Sequence, residues 1–238
     1  GEGFAGFIVE FTAFIKSDLK DWKYPVSDAS GFNRKNLLVA RELLLKAGYR
    51  YHNAQLTDPK GKPIRLEFLI HQDGLQRTLM PFIRNLKRLG ITVNIRHVDV
   101  PQYIERMRSK DFDMTTNVLP QSLNPGNEQA QFWSSASADQ PGNYNYAGIK
   151  NAVIDDAIIK VIQAPDRQQL VIRTKVLDRL LRAGYYQIPT YGKGGNWYAY
   201  WNIYEQPKIK PKLAVGFDFW WSNPQKAAQV SQYLRRQK

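Results

Sequence analysis

Between Ile64 and Val98 the hydrophobic pattern changes period twice, and that change constrains the fold more than any other feature of the chain. Ile64, Leu66, Phe68 and Ile70 alternate, as the buried face of a strand does. Leu75, Leu79, Phe82, Leu86 and Leu89 then recur at helical spacing, Gly90 ends the run, and Ile91, Val93 and Ile95 alternate again. The twenty residues between Ile70 and Ile91 suffice for a helical crossover between parallel strands, and such crossovers are right-handed. Pro101 suits the first turn of a further helix through Met107, and Phe112, Met114, Thr116 and Val118 read as a third strand. The spacing predicts an α/β core.

Loop chemistry precedes this unit at residues 17–32, where Pro25 and Gly31 sit among short polar residues. A helix from Asn33 carries Leu37, Arg41, Leu44 and Ala47 on one face, with Gly48 placed for a left-handed cap. After the third strand, residues 119–148 show neither period and are rich in Asn, Pro, Gly, Ser and Gln. Long irregular segments inside compact domains are commonly functional. Two helices follow, one from near Asn151 burying Ile154, Ile158, Val161 and Ile162, the other starting after Pro165 with Asp166 as an early anion. Beyond Gly184 the composition shifts: four of the six Trp fall there, before a short final helix from Gln225 to Arg236.

The chemistry available is narrow. With no cysteine, disulfides, thiolate metal sites and cysteine nucleophiles are ruled out together. His52, His71 and His97 lack metal-ligand spacing, and His71 and His97 lie near strand ends, where an imidazole commonly caps a backbone group. No nucleophile elbow is present, and Asp155 and Asp156, adjacent on a helix, diverge by about 100° and cannot converge on one reacting atom. The string Gly192-Lys193-Gly194-Gly195 has no following helix to make a phosphate cradle. The reading is a protein that is not an enzyme and needs no cofactor and no metal.

Charge and aromatics suggest two kinds of ligand. Lys and Arg number 34 against 21 acids, a formal charge of +13, and 30 of the 238 residues are Phe, Trp or Tyr. Cations attract phosphates and aromatic faces stack bases, so a nucleic-acid or nucleotide-binding basic module is the competing hypothesis, recognisable by a steep salt dependence. The cations, however, are dispersed over helix faces, whereas aromatics and amides gather in irregular segments. Amides supply donors and acceptors, and Trp and Tyr supply rigid apolar area with a polar handle, a combination suited to an extended polar ligand such as a peptide or sugar.

The order of motifs resembles a known family. Asn33-Arg34-Lys35-Asn36-Leu37 through Ala40-Arg41-Glu42-Leu43-Leu44-Leu45-Lys46-Ala47-Gly48-Tyr49 is similar to a stretch of the extracellular solute-binding proteins that serve peptide ABC transporters. The likeness continues through Leu86-Lys87-Arg88-Leu89-Gly90-Ile91-Thr92-Val93, Asp99, Tyr103, Phe112-Asp113, Phe132-Trp133-Ser134-Ser135 and Ile154-Asp155. Pro25-Val26-Ser27-Asp28-Ala29-Ser30-Gly31 and Asn143-Tyr144-Asn145-Tyr146-Ala147-Gly148-Ile149 are closest to the YejA-type subgroup, associated with oligopeptide and microcin C-type peptide uptake.

What the resemblance implies is the C-terminal lobe of a two-lobed periplasmic-binding-protein fold, a mixed sheet flanked by helices. Residues 1–188 would form the second lobe, partial at its start, and residues 189–238 the hinge return and a segment of the first lobe, whose main body is absent. The function implied is capture of extended oligopeptides, including N-terminally blocked or nucleotide-conjugated ones, and delivery to an inner-membrane permease by a periplasmic protein that is monomeric when complete, with nucleic acid not expected as a partner. In relatives an acid after the Phe-Asp match holds the peptide ammonium, and aligning Asn124-Pro125 with their downstream proline puts Gln121 there instead. Ala152 likewise stands where relatives have Pro. The expected ligand-binding residues are Asn117, Leu119 and Gln121 along an added-strand edge, Trp133, Tyr144, Asn145 and Tyr146 as a wall, and Trp197 and Tyr200 from the returning segment.

Overall fold

The computed structural model describes residues 23, 25–27, 30–119, 121–188, 198–209 and 216–236. The chain divides into two compact units, Gly1–Ile188 and Pro189–Lys238.

In the first unit, helix α1 (Arg34–Lys46) ends as its sequence demands. The Gly48 N–H donates to Leu45 O and the Tyr49 N–H to Leu44 O, a Schellman closure with Gly48 at φ +93°. Strands β1 (Arg50–His52) and β2 (Gln55–Thr57) pair antiparallel through a two-residue turn in which Asn53 and Ala54 both have positive φ, the geometry that matches strand twist. The crossover unit comes next. β3 (Arg65–Ile70), helix α2 (Asp73–Arg88) and β4 (Thr92–His97) form the expected parallel pair, Arg65 opposite Thr92 through Ile70 opposite His97. Helix α3 (Val100–Ser109) is capped by Asp99, whose carboxylate accepts from the Gln102 N–H at 2.8 Å. It leads to β5 (Met114–Thr115), parallel to the other edge of β3.

The strand order is β4-β3-β5, so β3 is central and its Phe68, Leu69 and Ile70 are all buried. The antiparallel pairs occupy separate two-stranded sheets, so the parallel and antiparallel pairings expected in one mixed sheet are divided among small ones. The third strand is shorter than the alternation from Phe112 to Val118 predicts. Its flanking backbone partners are taken by side chains: the Asp113 carboxylate accepts the Glu67 N–H at 2.7 Å, and the Tyr103 hydroxyl donates to Thr116 O at 2.9 Å.

Residues 119–148 hold more order than their composition suggests, with helix α4 (Glu128–Trp133) followed by a 3₁₀ turn (Ser135–Ser137). Helix α5 (Ala152–Ile162) starts at Asn151, whose side chain accepts from the Val153 N–H at 2.9 Å, and helix α6 (Arg167–Ala183) starts at Asp166, which accepts from the Gln169 N–H. Asp155 reaches back to accept the Ser135 N–H at 2.8 Å, tying the irregular segment to α5. Ile154, Ala157, Ile158 and Val161 of α5 pack with Val176, Leu177 and Leu180 of α6 and with Phe132, Trp133 and Ile149. Two smaller clusters lie on the sheet, one of them joining Leu56, Leu89 and Ile91 to the inner face of α1.

In the second unit, strand β6 (Tyr204–Glu205) pairs antiparallel with β7 (Trp221–Ser222), and helix α7 (Pro224–Arg236) follows. Asn223 links them: its amide donates to Glu205 at 2.8 Å and its carbonyl accepts the Gln225 and Lys226 N–H groups. Tyr198, Tyr200, Tyr204 and Phe217 surround Trp220 with ring centroids 4.8 to 6.4 Å away.

Candidate functional site

The crossovers run in opposite directions across the sheet: the path through α2 carries the chain from β3 to β4 on one side, and the path through α3 carries it from β4 back past β3 to β5 on the other. In open parallel sheets the crevice at the carboxyl ends of strands around such a reversal is where ligands sit. His71 and Tyr103 meet there, ring centroids 4.2 Å apart, and the Tyr103 hydroxyl lies 3.1 Å from Thr115 Oγ1. His71 Nδ1 is buried with no hydrogen-bond partner among the described residues, so the backbone-capping role expected for this imidazole is not what the structure places there. His97 instead faces Asp73 at 3.2 Å.

From this crevice the chain continues into residues 117–119. Asn117 is exposed and Leu119 is half-buried against the helical core. Neither makes a main-chain to main-chain hydrogen bond among the described residues, and β5 is an edge strand. Exposed main-chain donors and acceptors of this kind are what an extended peptide pairs with when it adds to a sheet.

A line of amides follows. The Trp133 indole N–H donates to Gln129 Oε1 at 3.2 Å, and the Gln129 amide donates to Gln121 Oε1 at 2.8 Å and to Glu128 at 3.2 Å. Burial opposes ionisation of Glu128, but the Gly126 N–H, its own backbone N–H and the Gln129 amide outweigh that and hold its carboxyl below the usual range. Gln121, exposed at the loop surface, thus points its acceptor inward and has its amide N–H groups without a partner among the described residues. Arg167, not singled out by any sequence pattern, ties this loop to α6 by donating to Leu123 O and, at 2.8 Å, to Asn124 Oδ1.

Aromatic rings continue the surface. Trp133, Phe132, Tyr144 and Tyr146 form a chain with centroid steps of 5.9, 5.4 and 6.1 Å, running from a Trp that is 7% exposed to a Tyr144 that is 47% exposed. Trp133 is therefore the buried floor of the wall rather than its face. Burial foremost, then the neighbouring Tyr144 and Tyr103, raise the Tyr146 phenol above its ordinary value against a smaller opposing effect of Arg108, which keeps it a neutral donor.

Asn145 requires a correction. It is 1% exposed, both its amide N–H groups are used, on Ser134 O at 2.9 Å and Ile149 O at 3.0 Å, and its Oδ1 accepts the Ile149 N–H at 2.9 Å. It is a clamp on the loop and does not face a ligand. Burial and saturation separate it from its neighbours, and neither is written in the Asn-Tyr-Asn-Tyr string. Tyr200 belongs to the second unit, in the ring cluster around Trp220, where its hydroxyl accepts from the Gln206 amide at 3.0 Å. Trp197 lies outside the described residues. The structure thus brings Gln121, Trp133, Tyr144 and Tyr146 into one connected assembly. Among the described residues no group of three or more His, Cys, Asp or Glu could hold a metal, and no helix is long and apolar enough to cross a membrane.

No protein-family model matches the chain. Among curated proteins it is 44% identical over 204 residues to the probable peptide-binding protein YejA of Agrobacterium fabrum, a match covering 85% of this chain and 33% of that protein. It is also 36% identical over 197 residues to the peptidoglycan-binding protein YepA of the same organism, covering 83% and 32%. The chain spans about a third of the length of the curated relatives it matches. In fold it superposes on the oligopeptide-binding protein AppA of Bacillus subtilis, solved with a nonapeptide, with a TM-score of 0.55 and 22% identity over 61% of this chain and 29% of that one.

Proposed function

We propose that this chain, related over its matched residues to the YejA-type peptide-binding proteins, is the ligand-holding part of a periplasmic solute-binding protein that captures extended oligopeptides and delivers them to an ABC permease. It acts by binding, without chemistry on the cargo. The observation that carries this reading is the run at residues 117–119 that makes no main-chain to main-chain hydrogen bond among the described residues, following an edge strand and flanked by the ring chain that ends in Tyr144 and Tyr146. A peptide main chain would pair along that edge while its side chains lie against the rings. In this reading residues 1–188 belong to the second lobe and residues 189–238 return to the first, whose surface covers the exposed aromatics of the second unit.

Gln121 refines the cargo. Its oxygen already takes the Gln129 amide, its free N–H groups are donors and it carries no charge, so it offers a peptide ammonium no charge-assisted bond and a carbonyl a partner. Blocked amino termini, acetylated or conjugated to a nucleotide, are therefore tolerated. Calorimetry on the intact protein with matched free and N-acetylated peptides, and with a peptidoglycan-derived peptide, tests this. Acetylation should change affinity by no more than about threefold, the scale of one neutral hydrogen bond. A much larger loss on acetylation would refute the blocked-terminus reading, and a steep salt-dependent affinity for oligonucleotides with no peptide binding would replace peptide capture with the nucleic-acid alternative.

A further inference from the structure

The loop at residues 121–125 and helix α6 line an open cleft of about 390 Å³ that lies wholly within the first unit. That size suits one amino-acid residue or a small acid rather than a polymer. Leu123, Trp133, Leu170, Val171 and Leu181 supply apolar walls. Several acceptors on those walls are engaged. Gln129 Oε1 takes the Trp133 indole, Gln121 Oε1 takes the Gln129 amide, Ser122 Oγ takes the Asn124 N–H, and Asp178 is paired with Arg182 at 3.0 Å. The Thr174 hydroxyl donates to Leu170 O and offers no free proton.

The cation left open is the Lys175 ammonium, which forms no ion pair among the described residues. Arg167 adds positive charge at the same mouth. An apolar cleft whose rim carries Lys175 and Arg167, with the Asp178 carboxylate offset by Arg182, favours an apolar ligand bearing an anion. We propose that this cleft binds an apolar carboxylate, its branched or aromatic group against Trp133 and Leu170 and its carboxylate against Lys175. The C-terminal residue of a peptide and a free N-acyl amino acid share this chemistry. Only the first source rests on the peptide-capture reading above.

The test is calorimetric titration of the intact protein with N-acetyl-L-phenylalanine and with N-acetyl-L-phenylalaninamide. The acid should bind about fivefold more tightly than the amide, the gain of a charge-assisted bond discounted for the exposure of Lys175. Lys175→Gln should erase that difference while leaving the amide unchanged. Val171→Trp, at a position 36% exposed on the cleft rim, should abolish binding of both with the melting temperature preserved. Equal affinity for acid and amide in the native protein, or undiminished binding in Val171→Trp, overturns the proposal. Peptide binding that persists in Val171→Trp overturns the peptide C-terminus as the source and leaves peptide capture standing; acid binding with no peptide binding identifies the free acid and removes the capture reading instead.

Discussion

Two amides of the irregular segment, Asn145 and Gln129, are both buried, and the difference between them lies in what each holds. Asn145 closes the backbone on itself through Ser134 and Ile149. Asn145→Ala leaves the buried Ile149 N–H and carbonyl without partners, Ser134 O keeping the Ser137 N–H and hydroxyl, and should cost about 2–3 kcal/mol by chemical denaturation. Gln129 holds side chains, so Gln129→Ala should lower stability less, by about 1–2 kcal/mol, and free Gln121 to rotate. Glu128 carries a pH signature. Its folded pKa lies below its unfolded one, so its stabilisation is fully present above the unfolded value and is lost as pH falls through the folded one. Glu128→Gln should therefore lower the urea midpoint at pH 7 and converge with the native protein as pH drops below about 4; a constant gap across that range would show that the carboxylate contributes by shape alone.

At the scale of elements, the crossover from β3 to β4 depends on Gly90. It has φ +75°, its carbonyl accepts the Leu56 N–H at 2.9 Å, and a Cβ there would lie 2.7 Å from that nitrogen. Gly90→Ala should destabilise by more than about 2 kcal/mol, combining left-handed strain with a backbone clash, and should disturb the β1–β2 hairpin first, as read by amide exchange at Leu56. These elements were legible because their signals are local: the period switch at Ile70 and Ile91, the Gly48 cap and the Asp166 cap all act within a few residues. The length of β5 was not, because the groups that shorten it, Tyr103 and Asp113 on Glu67, act across the fold. The same holds for the site. Composition found the aromatic and amide segment, but Arg167 lies 43 positions from the Asn124 it binds, and no pattern joins them.

Taken as a whole, the molecule joins a unit with its own cores to one whose described residues form none. No described residue of the second unit is buried, and Trp201, Phe219 and Trp221 are at least half exposed. A fragment of residues 189–238 expressed alone should show no cooperative thermal transition, since so small a chain without a buried core falls short of its ordering entropy; a sharp melt would show that the ring cluster around Trp220 is sufficient. The first unit raises a different matter. Because Asn145 is pinned between Ser134 and Ile149, Tyr144 and Tyr146 on either side of it are set in place before any partner arrives. The conformational entropy of that stretch is lost during folding, so an incoming molecule meets a preorganised surface and association forfeits less of its gross interaction energy to ordering.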